Sequence, residues 1–72
     1  MPLKLDDYKL SDWTDDSINP VYLGYVTTEG HWYIKKIDNS SRTMRYAAGL
    51  SEYTTNWGLK DKIDYFYIHE VL

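Results

Sequence analysis

The chain has no cysteine, two prolines, four glycines and a single phenylalanine in 72 residues. Without cysteine there can be no disulfide and no thiolate metal site. The two histidines, His31 and His69, are too far apart to form a ligand-spacing motif. No apolar run approaches the roughly 20 residues of a membrane helix, and Met1 to Leu10 lacks the apolar stretch of a signal peptide. The expectation is a soluble protein made in the cytoplasm. Glycine-rich phosphate loops, nucleophile elbows and His-Glu-x-x-His are also missing. No residue is therefore expected to serve catalysis, a cofactor or a metal, and the expected protein is not an enzyme. A chain this short makes one domain and buries a smaller fraction of its surface than a larger protein does. With no covalent or metal staple, oligomerisation is the remaining source of stability.

What the sequence does contain is aromatic: eight Tyr and three Trp. Each supplies a large rigid apolar body with a polar tip, able to fill a thin core or to anchor a partner. Charge is also unevenly placed. In residues 1–20, Lys4 and Lys9 stand against Asp6, Asp7, Asp12, Asp15 and Asp16, so 2 minus 5 gives the whole net charge of −3. The remaining charges balance. Among these aspartates, Leu5, Tyr8, Leu10 and Trp13 are spaced for docking rather than for a core of their own. Residues 1–20 are read as an extended acidic docking arm, with a solubilising tail as the plainer alternative, and residues 21–72 as a small β-rich domain.

Asn19-Pro20 disfavours helix across the boundary. Beyond it, Val21 to Thr28 is rich in β-branched and aromatic residues, Gly30 can take positive φ in a turn, and His31 to Asp38 resumes the pattern. Asp38-Asn39-Ser40-Ser41 predicts a second turn before Thr43 to Ala48. These segments predict a three-stranded antiparallel meander. Alternation puts Trp32, Ile34 and Lys36 on one face and Tyr33, Lys35 and Ile37 on the other, so both faces are expected to meet something. Tyr53 and Trp57, four residues apart, predict a short helical turn, with Ser51 as N-cap and Gly58 as terminator. The alternation from Ile63 to Val71 predicts a C-terminal strand. The fold class is thus mainly β.

Gly24-Tyr25, Trp32-Tyr33-Ile34, Arg45-Tyr46-Ala47 followed by Gly49, Tyr53-Thr54-Thr55-Asn56-Trp57 and Asp64-Tyr65-Phe66 occur in that order. Over roughly residues 18–68 this order resembles small proteins of tailed bacteriophages. Two departures are Ile63, where such sequences tend to carry Tyr, and Gly58-Leu59-Lys60, in place of a segment with Arg. The resemblance brings no catalytic residue. It implies a virion structural or assembly protein whose partner is itself, as a homo-oligomer, or a larger phage structural protein.

Tyr8, Trp13, Trp32, Tyr33, Tyr46, Tyr53, Trp57, Tyr65 and Phe66 are the candidate core and contact residues. A competing reading uses Lys35, Lys36, Arg42 and Arg45, interleaved with Trp32, Tyr33 and Tyr46. Single-strand nucleic-acid binders combine such cations with stacking rings, although a net-acidic chain argues against that. A phage-encoded inhibitor of a host enzyme, with acidic groups standing for phosphates, is a third class. Asp12, Asp15 and Asp16 lack the ligand spacing of a calcium loop. Asn39-Ser40-Ser41 reads as a turn rather than a glycosylation site.

Overall fold

The computed structural model describes residues 5–71; residues 1–4 and 72, the start of the arm and the end of the expected last strand, lie outside it. Four antiparallel strands, β1 (Lys9–Trp13), β2 (Val21–Val26), β3 (Trp32–Asp38) and β4 (Thr43–Gly49), form one open sheet in the order β1-β2-β3-β4. The class is mainly β, as the alternation required. The three central segments are the expected meander. Gly30 holds φ 91° in the β2–β3 turn. Asp38 closes the β3–β4 turn by accepting the N–H groups of Ser40 (2.9 Å) and Ser41 (3.3 Å) on Oδ1.

Two elements differ from the sequence reading. The fourth strand comes from the N-terminal segment, not from the C-terminus. Lys9 pairs with Val26, Leu10 with Tyr25, Asp12 with Gly24 and Trp13 with Leu23, with a bulge at Ser11. The bulge breaks the two-residue period, and Lys, Ser and Asp are poor strand formers, so this strand carries no clear signal of its own. The supposed arm is therefore built into the sheet through residues 9–13. The boundary at Asn19-Pro20, a cis peptide, falls in the β1–β2 connection.

The expected C-terminal strand is a single bridge, Tyr46 with Phe66, followed by a helical turn α2 (Ile68–Val71). The Glu70 carboxylate accepts the Tyr67 N–H (3.0 Å) and starts that turn. This local bond diverts the chain from the ladder.

Helix α1 (Tyr53–Gly58) is the expected short turn. Its N-terminal boundary is Glu52, in the left-handed region at φ 62°, with no side-chain cap. Ser51 is not the cap. Its carbonyl instead accepts the Trp32 indole N–H at 2.6 Å.

The core lies on one face of the sheet. Tyr22, Trp32, Ile34 and Ala47 are buried there, and Val26, Tyr53, Trp57, Ile63 and Tyr65 pack onto them. Two glycines make the close approach possible. A Cβ on Gly24 would collide with the Tyr53 hydroxyl and sit 3.0 Å from the Trp57 ring, and a Cβ on Gly49 would come within 2.7 Å of the Trp32 ring. With no side chain at these positions, α1 and the indole lie flat on the backbone.

Candidate functional site: the open aromatic face

Register and alternation assign every strand residue to one of two faces. On the covered face, Gly24, Ile34 and Ala47 stand in one row, with Asp12 at the β1 edge. Its cover is tied down by polar bonds. The Tyr53 hydroxyl donates to Asp12 Oδ2 (2.7 Å), and the Tyr65 hydroxyl donates to the Lys60 carbonyl (2.7 Å). Burial, and for Tyr53 also the Asp12 carboxylate, pushes both phenols well above the usual tyrosine range.

The opposite face is different in kind. One row of it aligns Leu10, Tyr25, Tyr33 and Ala48, and the next aligns Trp13, Leu23, Lys35 and Tyr46. A third row holds Val21, Ile37 and Met44. Lys35 is the one charged side chain at a strand position on this face, and it lies over the Tyr46 ring at 5.9 Å. At the centre Tyr33 is buried by other tyrosines: it stacks on Tyr25 at 4.5 Å and 13° and meets Tyr8 edge-on at 5.0 Å. This burial pushes its hydroxyl up to about 12. Tyr8 is itself buried, and its hydroxyl has no hydrogen-bond partner among the described residues.

Tyr8 packs over the centre of this second face, and Val21, beside the β1–β2 connection, is buried as well. The outer positions of the face are open to solvent: Leu10, Met44 and Trp13 are 48%, 53% and 65% exposed. The bridge to Tyr46 adds Phe66, also exposed, at the β4 margin. An open groove of about 520 Å³ runs between Leu10, Trp13, Val21 and Leu23 and is bordered by Asp15 and Asp16. Asp15 is held in place by accepting the Ser17 N–H (2.9 Å) and hydroxyl (2.8 Å), which lower its carboxyl pKa.

The candidate contact residues thus divide in two. Trp32, Tyr53, Trp57 and Tyr65 belong to the covered core, whereas Tyr8, Trp13, Tyr33, Tyr46 and Phe66 belong to the open face. Sequence reasoning missed Leu23 and Met44, and treated Leu10 as part of an arm. Leu23 and Met44 are detectable only once the strand register is known.

The four cations of the nucleic-acid reading are not brought to one surface. Lys35 stands on the open face, Lys36 and Arg45 on the covered one, and Arg42 in the β3–β4 turn at φ 58°. Lys36 and Arg45 lie over the rings of Tyr65 (5.5 Å) and Tyr67 (4.1 Å). Of the three proposed stacking rings, Tyr46 is half-buried on the open face under Lys35, while Trp32 and Tyr33 are 4% and 7% exposed. Base stacking needs a free ring face, and neither Trp32 nor Tyr33 offers one. His69 stacks on Tyr67 at 5.7 Å.

The fold and this surface define a small open-faced antiparallel β module. No family model, no curated protein and no solved structure matches the chain.

Proposed function

We propose that this protein is a non-enzymatic assembly protein that works through protein–protein contact, as a structural component of a tailed-bacteriophage particle. One observation carries the contact role: the second face of the sheet is aromatic and aliphatic, and Leu10, Trp13, Met44 and Phe66 stand exposed around its buried centre. Contiguous apolar patches beyond a few hundred Å² are uncommon on soluble monomers and mark interaction sites. Aromatic anchors surrounded by smaller apolar groups are the composition of contact centres. The phage setting rests on the resemblance over residues 18–68.

Sheet edges are a poorer candidate for the contact. β1 is five residues long, bulged at Ser11 and flanked by aspartates, and β4 is partly covered by the Phe66 bridge. These features block strand addition. The face is left as the contact surface.

Mass spectrometry of purified particles tests this reading. Many copies per particle are expected. Presence only in the infected-cell lysate would overturn the structural role in favour of an inhibitor.

A further inference from the structure

We propose that the occupant of the open face is a second copy of this chain, packed sheet against sheet about a two-fold axis that runs parallel to the strands. The inference rests on the contact role proposed above and names its partner.

At one end of the sheet the β1–β2 connection presents Asp15 and Asp16, both exposed, beside Trp13. At the same end, on the far side of the sheet, the β3–β4 turn presents the exposed Arg42. Asn19 fixes these two connections to one another. Its side-chain oxygen accepts the Asn39 N–H (2.7 Å), and its amide donates to Ser40 Oγ (3.0 Å) and Asp38 Oδ1 (3.3 Å). The acidic and basic corners are therefore held at a set separation.

A two-fold axis along the strands keeps each end of the sheet at its own end while exchanging left and right. β1 of one copy then lies over β4 of the other, and the Asp15-Asp16 corner meets the partner's Arg42 corner, twice by symmetry. An axis perpendicular to the strands but still in the plane of the face lays each connection over the opposite end and forms neither pair. Aligned sheets pack about 10 Å apart with strands within about 30°, so Trp13 and Leu10 of one copy reach the Met44 and Tyr46 region of the other. Lys35 lies over the Tyr46 ring on this face.

Size sets the strength. Strands of five, six, seven and seven residues, at about 3.3 Å per residue and about 4.8 Å spacing, give a footprint of roughly 400 Å², part of it already taken by Tyr8 over Tyr33. That is below the roughly 800 Å² per partner of a standard interface, so the dimer forms in the micromolar range.

Sedimentation velocity at low salt, over a concentration series, tests the arrangement with two charge-reversed chains. Asp16→Lys leaves the Asp15 turn intact, and Arg42→Asp suits a left-handed position. Alone, each variant brings like charges together at both corners and weakens the dimer about ten-fold, while an equimolar mixture restores parental affinity by forming heterodimers. Met44→Glu, at an exposed site that leaves the monomer folded, abolishes the dimer with the circular dichroism unchanged. A chain that stays monomeric to millimolar concentration overturns the second copy as occupant. So does a dimer indifferent to Met44→Glu, or a mixture no tighter than its components. None of these three results touches particle incorporation, on which the contact role is judged separately.

Discussion

Replacing Gly24 with Ala should destabilise the protein by about 2–4 kcal/mol, although glycine-to-alanine in a strand interior ordinarily gains about 0.5–1 kcal/mol. The difference lies in what rests on the glycine. An added methyl carbon collides with the Tyr53 hydroxyl and crowds the Trp57 ring, and overpacking a well-fitted site costs about 1–3 kcal/mol. The Tyr53 ring cannot retreat freely, because its hydroxyl donates to Asp12 Oδ2 at 2.7 Å. A hydrogen bond to a charged group contributes about 1.5–3 kcal/mol. Moving α1 off the sheet sacrifices that bond, and keeping it retains the clash. In a domain of this size each kcal/mol moves the melting temperature by about 4–8 °C, so thermal unfolding followed by circular dichroism should show a fall of about 10–25 °C. Coupling supplies the sharper test. Tyr53→Phe removes the colliding oxygen, so the double variant Gly24→Ala, Tyr53→Phe should be more stable than the sum of the two single losses, with Trp57 keeping the rescue incomplete. A neutral or stabilising Gly24→Ala, or strict additivity, would refute the account of α1 seated on a glycine notch.

Deleting residues 1–17 removes β1, strips Tyr8 from Tyr33 and takes Asp12 from Tyr53, so the remaining chain should lose its cooperative melt or melt at least about 10 °C lower; an unchanged transition would make the segment a mere appendage. Ile34→Ala empties a fully buried central site and should cost about 2–5 kcal/mol by denaturant titration, whereas a cost under 1 kcal/mol would move the core elsewhere. Alkali should unfold the protein. Tyr33, raised to about 12, together with the raised Tyr53 and Tyr65, keeps its proton in the folded chain while the unfolded chain begins to lose it near pH 10. Stability should therefore stay level below about pH 10 and fall from there towards pH 12, read by melting curves alongside tyrosinate absorbance. Because the four cations are divided among two faces and a turn, oligonucleotides should show no salt-sensitive binding; micromolar affinity that falls with salt and with Lys36→Ala would favour the nucleic-acid reading instead.

Much of the sheet was legible in the sequence because β2 and β3 are rich in β-branched and aromatic residues and the turns that bound β2, β3 and β4 carry the chemistry turns need. Trp32 and Tyr33 fell on opposite faces by alternation alone, and the structure places them so. β1 was not legible. Its bulge at Ser11 shifts the period, and its partner rows exist only through contact with β2. The last segment misled for a complementary reason: Ile63 to Val71 alternates well, but strand pairing depends on a neighbouring edge, and the Glu70 bond to the Tyr67 N–H turns the chain into a helix after one bridge. The open face could be inferred from alternation as a mixed surface. That Leu10, Trp13 and Met44 stay exposed on it depends on α1 and Tyr65 coming to rest on the other face, which is a tertiary fact with no local signature.

The plain β1-β2-β3-β4 order also fixes how this chain comes together. Each strand pairs with its neighbour in sequence, across connections confined to residues 14–20, 27–31 and 39–42. Such short-range pairing costs little loop-closure entropy and favours rapid folding. The β2–β3 hairpin can close on its own turn, and β4 and β1 can add to its two sides without waiting for distant chain. The Tyr53 bond to Asp12 spans 41 positions, so the seating of α1 belongs to the late part of the reaction. Until it forms, both faces of the nascent sheet are wet, and the order of events decides which of them is the first to become dry.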